Sequence, residues 1–306
     1  MKKNIFFIVT MIVFISFIVA CSGSKLNVKP IAKSENPTDH INRLDNDLAN
    51  ARKNQLNVLS PTWFAEAASS LDTAKIDLDQ GKELSEILNN IALGRAQLQK
   101  AEEAARISRT TLTDVIKGRD LARAAGAVKL GKDYTEAEEE FLELTQAIEK
   151  NDLKYAQKHK KKVTEAFRQL EMRAIKIETI GEVRRLMKAA KDQGIEKIAP
   201  ESYAIARKKL TEADAFITEN PYQKEMMLQK AGEALFMAHR LFQIAAQSEK
   251  FNPMEPEQIT LWVEQILHQI TDKLYATDMR EFSVLYWRCR MTASSCSTKL
   301  RHCNPK

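Results

Sequence analysis

Three segments of this 306-residue chain repeat one pattern of apolar residues at intervals of about 70 residues. Counting from Pro61, Gly131 and Pro200, each segment carries an aromatic residue at position +3, Ala at +6, a large apolar residue at +10 and Ala or Leu at +13. Such steps of three and four keep side chains on one face of an α-helix. The positions hold Phe64, Ala67, Leu71 and Ala74, then Tyr134, Ala137, Phe141 and Leu144, then Tyr203, Ala206, Leu210 and Ala213. We predict three helices whose aromatic residues are buried at equivalent positions.

A second apolar stripe follows each segment after a polar break, at residues 79–81, 151–152 and 220–221. The stripes comprise Ile87, Ile91, Leu98 and Ala101, then Ala156, Val163, Phe167, Leu170 and Ala174, then Met227, Ala231, Ala234, Ala238, Leu241 and Ala245. Each is predicted to form a returning helix, and further helix through 115–127 and 177–190 joins one hairpin to the next. Only nine Gly and eight Pro occur in the chain, which favours long helices over the many turns of a β fold.

The pattern predicts an all-α protein of three helical-hairpin repeats, each about 70 residues long, that form an elongated bundle or array. The expected organisation is a lipoprotein signal peptide (1–20), a flexible tether (21–40), helical repeats 1 to 3 (41–127, 128–195 and 196–250), a C-terminal helix (257–281) and an irregular basic tail (282–306).

The N-terminus has the features of an export signal. Lys2 and Lys3 precede an apolar run over residues 5–19, and a small residue, Ala20, lies directly before Cys21. The run is at or below the length that a membrane-spanning helix needs, about 17–25 residues. A plain N-terminal anchor helix with an incidental cysteine is the alternative. Residues 22–40 are polar and lack apolar periodicity, as expected of a solvated tether.

The ending Ile18-Val19-Ala20-Cys21 resembles a bacterial lipobox. The resemblance implies that the Cys21 thiol takes a diacylglyceryl group, that the signal is cut before it and that the new amine is acylated. Two or three acyl chains anchor a protein stably to a membrane where one does not. Ser22 is similar to the residue that directs enteric lipoproteins to the outer membrane, so we expect an outer-membrane protein that faces the periplasm.

The helical body resembles the Ala-rich helical region of OmpA-type outer-membrane lipoproteins. The resemblance rests on residues 122–127 followed by Tyr134 and Ala137, and on residues 186–190 leading into Pro200 and Tyr203. In that family a C-terminal OmpA-like domain binds peptidoglycan. Nothing in this sequence resembles that domain or its Asp and Arg motif, so no direct peptidoglycan-binding residues are expected.

The C-terminal residues differ in character from the body. Cys289, Cys296 and Cys303 lie in the last 18 residues, and 282–306 carry five Lys and Arg but no Asp or Glu. This spacing is not a known zinc pattern, and three cysteines cannot all pair within one chain. We expect a longer ancestral reading frame that was interrupted near residue 280, leaving a dispensable tail. The alternative is a genuine basic tail with a disulfide formed in an oxidising compartment.

The charge distribution argues against a nucleic-acid partner. The chain carries a net charge of +6, but residues 1–20 contribute +2 and residues 282–306 contribute +5, so the body is close to neutral. A nucleic-acid-binding protein concentrates its positive charge on the folded part.

Lys158–Lys162 is the strongest basic run, and acidic residues at 136–143 are expected to face it across the second hairpin, with 140 opposite 162 and 143 opposite 159. Contact with anionic lipid or another envelope polymer is the alternative.

No pattern typical of an enzyme or cofactor site stands out. Residues 126–133 nearly match the phosphate-binding loop, but Asp133 replaces the required Ser or Thr and the segment follows a predicted helix instead of a strand. The five histidines, at positions 40, 159, 239, 268 and 302, lack metal-ligand spacing. We therefore expect no catalytic residues, no metal and no cofactor.

The sequence thus predicts a non-catalytic, lipid-anchored envelope protein that acts as a helical scaffold, spacer or interaction module. Its expected partners are the membrane, through the lipid on Cys21, and other envelope proteins. A tetratricopeptide-like solenoid adaptor that binds peptide segments is the alternative, because two 34-residue units nearly equal one period. The Gly and Trp spacing of that repeat is missing, and we rank this alternative lower.

Overall fold

The computed structural model describes residues 26–274, and within that range the protein contains eleven α-helices, one 3₁₀ helix and no strand. The predicted all-α class is confirmed. The helices are α1 (Pro37–Lys53), α2 (Leu56–Leu59), α3 (Pro61–Asp79), α4 (Leu84–Thr111), α5 (Thr113–Ala124), the 3₁₀ helix (Ala127–Leu130), α6 (Lys132–Glu149), α7 (Leu153–Asp192), α8 (Ile195–Ile198), α9 (Pro200–Glu219), α10 (Lys224–Phe251) and α11 (Pro256–Lys273).

The chain divides into two compact units, with the boundary after Ile175, inside helix α7. We call the described residues 26–175 the N-terminal unit and residues 176–274 the C-terminal unit. The predicted signal peptide, Cys21 and the tail 282–306 with its three cysteines lie outside the described residues.

The N-terminal unit has a continuous apolar core. Helices α3 and α4 form a hairpin, and α1 and α6 each pack against both of them. Phe141 of α6 and Phe167 of α7 are completely buried, and their rings meet edge to face with centroids 6.4 Å apart. Tyr134 makes a similar contact with Phe167, at 6.2 Å. Edge-to-face packing of this kind adds to the stabilisation from burial.

Three corners of the chain have closely similar backbone geometry. Six residues before α3, α6 and α9, a residue adopts positive φ: Gln55 at 62°, Gly126 at 83° and Gly194 at 69°. Each is followed by a four-residue helical turn before the next long helix begins. Glycine adopts positive φ without steric cost, whereas Gln55 does so against its intrinsic preference.

The segment that precedes each corner buries four residues at the same distances from it. These residues are Ile41, Leu44, Leu48 and Ala51 before the first corner, Leu112, Val115, Arg119 and Ala122 before the second, and Ile180, Val183, Met187 and Ala190 before the third. Their spacing of three and four residues places each set on one helical face. Eleven of the twelve are apolar, and the exception is Arg119.

Helices α3 and α6 end in the same hydrogen-bonded motif. Gly81 and Asn151 adopt positive φ, and the next residue in each case donates its N–H to a carbonyl five residues back, Lys82 to Asp77 at 3.0 Å and Asp152 to Ala147 at 2.8 Å. This arrangement satisfies carbonyl groups that a helix end leaves free. Helix α9 ends differently, because the residue after Asn220 is a proline and has no N–H to donate.

The three helices that carry the repeated pattern, α3, α6 and α9, are the first helices of their hairpins, and all of them end at the predicted breaks. Every apolar residue predicted in the three returning helices is buried. The stripe of the first helices is buried completely in α3 and α6. In α9, Ala206 and Ala213 are buried, but Tyr203 and Leu210 are only partly buried. The prediction that Tyr203 is buried like Phe64 and Tyr134 is therefore wrong, because fewer side chains cover α9 than cover α3 or α6.

The N-terminal end of the described chain lies against the first hairpin. Residues 26–36 form a non-helical strap with a turn near its end, where Glu35 donates its N–H to the carbonyl of Ala32 at 3.1 Å, and the predicted boundary between tether and helical body, at residues 40 and 41, lies inside α1. Ile31 of the strap packs on the apolar core. Strap residues and Ala92 and Ala96 of α4 line one cavity of about 260 Å³. Buried His40 joins the two segments, since its Nε2 lies 2.5 Å from Glu35 and its Nδ1 lies 2.7 Å from Arg95.

The C-terminal unit is built on the α9–α10 hairpin. Residues 176–192 of α7 also belong to it, and Lys176 and Arg184 both form ion pairs with Asp214 of α9. Helix α11 and the residue that caps its end present an apolar stripe of Ile259, Trp262, Val263, Ile266, Ile270 and Leu274. None of these side chains is buried, and Leu274 exposes 70% of its surface. The ring of Trp262 meets that of Phe251 edge to face, with centroids 4.7 Å apart.

Candidate functional site

A buried charged cluster lies where α5 and α6 meet the first corner. The guanidinium group of Arg119 donates from Nε to both carboxylate oxygens of Glu138, at 2.8 and 3.0 Å, and from Nη1 to the side-chain oxygen of Gln55, at 2.9 Å. The guanidinium carbon also lies 5.2 Å from the centre of the Phe141 ring. Tyr134 donates its hydroxyl to Glu138 as well. The cluster thus links Gln55, the strained corner residue, to both helices.

Arg119 is nevertheless a charged residue in an apolar position. It exposes only 5% of its surface, and Leu48 and Met187 stand at the same distance before the other two corners. A charge buried this deeply is tolerated only when it is paired and hydrogen-bonded, which Glu138 and Gln55 ensure. We expected Glu138 to face the basic run 158–162. It pairs instead with Arg119, 19 residues earlier in the chain.

The same cluster alters the acidity of Tyr134. Burial raises the pKa of its phenol well above the ordinary value, and the hydrogen bond to Glu138 raises this pKa further. The phenol therefore holds its proton at physiological pH and acts as a hydrogen-bond donor. Each of these polar groups already has a partner, so the cluster is suited to locking helix positions in place.

Glu149 connects the second hairpin to the first. Its carboxylate, at the C-terminal end of α6, accepts hydrogen bonds from the hydroxyl of Ser60 at 2.6 Å and from the backbone N–H groups of Thr62 and Trp63 at 3.2 and 3.0 Å. Free N–H groups at a helix start favour a negative charge. Glu149 thus caps helix α3 although the two lie at least 86 residues apart in the sequence. Glu219, which ends α9, is exposed.

The predicted pairing across the second hairpin holds at one position and differs at another. Lys162 donates to Glu140 at 2.6 Å, and this hydrogen bond raises the pKa of Lys162. Glu143 accepts from the hydroxyl of Tyr155 at 3.2 Å, where we expected His159. The ring of His159 lies against Tyr155, with centroids 4.3 Å apart.

Acidic residues also line a groove of about 310 Å³ between α6 and α7. Asp133 and Arg173, which both line it, form an ion pair. The segment that resembles a phosphate-binding loop lies next to this groove and contains the second corner and the 3₁₀ helix. It follows helix α5, and its Gly126 and Gly131 both have positive φ, so these glycines serve the turn.

No group of three or more His, Cys, Asp and Glu side chains within residues 26–274 is arranged to hold a metal ion. Over the same range, no helix has both the length and the apolar character to cross a membrane. The predicted lipidation site, Cys21, lies outside the described residues.

The least expected feature of the surface is an apolar face on α10. Leu228 and Phe236 expose 55% and 63% of their surface, and Gly232 lies between them, one helical turn from each. Ile205 of α9 and the stripe on α11 add further exposed apolar side chains to the same unit. Large exposed apolar side chains grouped on one face mark interaction sites in soluble proteins. The periodicity of α10 suggested only a buried core, because it does not tell which faces of a helix are covered.

Comparison with known proteins gives no relative for this chain. No family model, no curated protein and no solved structure matches it.

Proposed function

We propose that this chain is a non-catalytic, lipid-anchored scaffold of the bacterial outer membrane that faces the periplasm. In this proposal its body consists of three helical-hairpin repeats of about 70 residues. The similar corners before α3, α6 and α9 support the repeat, as do the buried sets of four residues before each corner. Similar local geometry that recurs about every 70 residues is typical of repeat proteins, which present extended surfaces to partners.

One observation carries the interaction role, namely that the C-terminal unit exposes large apolar side chains on α9, α10 and α11. Full burial of a large apolar side chain is worth about 1.5–3 kcal/mol, and these side chains realise only part of that energy. A surface of this kind is stabilised when a partner covers it. Envelope proteins are the expected partners, and the lipid on Cys21 would hold the scaffold at the membrane.

The anchor is tested by mass and by partition. Intact-mass measurement of the protein extracted from bacterial membranes should show loss of residues 1–20 and addition of a diacylglyceryl group and an acyl chain. Cys21→Ala should lose the acyl mass, and any of it whose signal is cleaved should leave the detergent phase, whereas the matched control Cys289→Ala should keep the acyl mass and stay in the detergent phase. A Cys21→Ala protein that still enters the detergent phase at full yield with its signal cleaved would contradict the proposal.

The scaffold role is tested by photocrosslinking in living cells. A benzoylphenylalanine placed at Leu261, an exposed residue of α11, should crosslink to other envelope proteins. The matched control is the same probe at Asp72, an exposed residue of α3 within the N-terminal unit. Equal adduct yields at the two positions, or none at Leu261, would count against an interaction surface in the C-terminal unit.

A further inference from the structure

We propose that two copies of this chain associate through an antiparallel pair of α10 helices that cross at Gly232. The contact surface on each copy is the α10 face, defined by Leu228, Gly232 and Phe236. This inference concerns self-association and does not depend on the lipid anchor.

The corresponding positions of the other two returning helices show why the α10 face needs a partner. Aligning the buried stripes of the three helices places Leu88, Ala92 and Ala96 of α4 and Gln157, Lys161 and Glu165 of α7 at the positions of Leu228, Gly232 and Phe236. In α4 these residues are apolar and buried. In α7 they are polar and exposed. Of these three returning helices, α10 alone combines apolar side chains with exposure at these positions, which is the unfavourable combination for a lone chain.

Gly232 itself points to a close approach of a second backbone. Glycine within a helix is less stable than Ala by about 0.5–1 kcal/mol. In this chain a Cβ atom at Gly232 would meet no other atom within 4 Å, so intramolecular packing does not require the glycine. By contrast, a Cβ at Gly94 of α4 would meet Leu44 Cδ2 at 2.8 Å, which shows what a packing glycine looks like. A glycine on an exposed apolar face lets another helix come near.

The sequence around Gly232 complements itself in the antiparallel direction. A twofold axis through Gly232 sets Leu228 opposite the partner's Phe236, because both lie four residues from the axis. It also sets Glu225 opposite the partner's His239, since both lie seven residues away on the same face. Both residues are exposed. A parallel pair would instead bring Glu225 against Glu225 of the partner subunit, and like charges disfavour that arrangement.

The contact should be weak enough to depend on concentration. A single pair of helices buries less than the roughly 1,200–2,000 Å² of a standard stable interface. We therefore expect the full chain in mild detergent to exchange between monomer and dimer in sedimentation velocity experiments.

Gly232→Gln tests the crossing point, because a long side chain there separates the helices while the single chain has room for it. The matched control is Gly181→Gln in α7, where a Cβ would meet only Ile177 Cγ2 of its own helix, at 4.0 Å. We expect the first variant to weaken dimerisation at least tenfold at unchanged helix content, and the second to leave it unchanged. Equal dimerisation of the two variants, or a wild-type chain that stays monomeric at all concentrations, would overturn the proposal.

A charge exchange tests the antiparallel direction. Glu225→Lys and His239→Glu should each weaken the dimer several-fold, and the double variant should restore it. Restoration by the double variant requires that the two positions face each other across the interface. Two single variants whose effects simply add in the double variant would contradict the antiparallel arrangement.

Disulfide trapping gives a second readout that does not depend on folding stability. In the full chain with Ser at positions 289, 296 and 303, Gly232→Cys should form crosslinked dimers in membranes on mild oxidation. Met226→Cys, at an exposed position on another face of α10, should not. Equal crosslinking at both positions would indicate random collision and overturn the proposal.

Discussion

The N-terminal and C-terminal units use the same apolar spacing but cover it to different extents. Leu71 of α3 and Leu210 of α9 hold the same place in the pattern, yet Leu71 exposes only 3% of its surface and Leu210 is partly exposed. In the N-terminal unit, the strap, α1 and α6 cover the first hairpin. The periodicity of a helix therefore predicts which face is apolar, but neighbouring elements decide how much of that face is buried.

The largest contrast between the units should come from two phenylalanines. Phe141→Ala in α6 should lower the free energy of unfolding by about 3–5 kcal/mol, because the side chain is fully buried and its loss leaves a cavity. Phe236→Ala in α10 should change it by no more than about 0.5 kcal/mol in the monomer, because most of that ring is already in water. Urea unfolding at low protein concentration measures both values. Equal losses for the two variants would remove the contrast.

The charged cluster offers the next largest effect. Arg119→Met places the residue found before the third corner into the second, and it leaves the carboxylate of Glu138 partly buried without its cation. We expect a loss of about 3 kcal/mol in unfolding free energy. Adding Glu138→Leu should recover most of that loss, since the unpaired charge is then gone. A double variant no more stable than Arg119→Met would show that the cluster stabilises by geometry instead of charge pairing.

A smaller effect is expected at the helix cap between hairpins. Glu149→Ala removes three hydrogen bonds to the start of α3, so the unfolding free energy should fall by about 1–2 kcal/mol. Glu219→Ala, at the exposed end of α9, is the matched control and should have little effect. Amide hydrogen exchange should show faster opening of the first turn of α3 in Glu149→Ala alone.

The smallest effect concerns the N-terminal unit at alkaline pH. Burial raises the pKa of Tyr134 above its ordinary value of 10. Above pH 10 the unfolded chain releases this proton while the folded chain retains it, so the contribution of Tyr134 is present below pH 10 and is lost as pH rises. Tyr134→Phe should therefore flatten the alkaline decline of the unfolding free energy. An unchanged alkaline slope would argue against a buried phenol.

The helical class and the ends of the first helices could be predicted from the sequence. These features depend on local spacing and on Asn, Gly and Pro at the breaks, and such signals are carried by neighbouring residues. The buried stripes of the returning helices could be predicted for the same reason, because they also depend on local apolar spacing. The partial exposure of Tyr203 did not follow, because it depends on which helices lie above α9.

The interactions between distant segments could not be predicted. The pairing of Arg119 with Glu138 depends on how α5 and α6 meet at the second corner, and the cap by Glu149 depends on the position of α6 against α3. The strap and α1 were also missed as covering elements, since the polar composition of residues 26–40 indicates solvation. One signal was available for Arg119. A charged residue stands at a position where the other two copies have Leu48 and Met187.

The central claim is that corresponding returning helices have a covered face in α4 and an open face in α10. Leu88→Cys and Leu228→Cys test it most directly, because the two leucines correspond in the repeat and expose 2% and 55% of their surface. Thiol labelling should be measured at low protein concentration in chains with Ser at positions 289, 296 and 303. We predict that the cysteine at 228 reacts at least about tenfold faster than the cysteine at 88. Labelling at position 88 requires local opening, and each 1.4 kcal/mol of opening free energy slows it about tenfold. Equal labelling rates at the two positions would contradict the account.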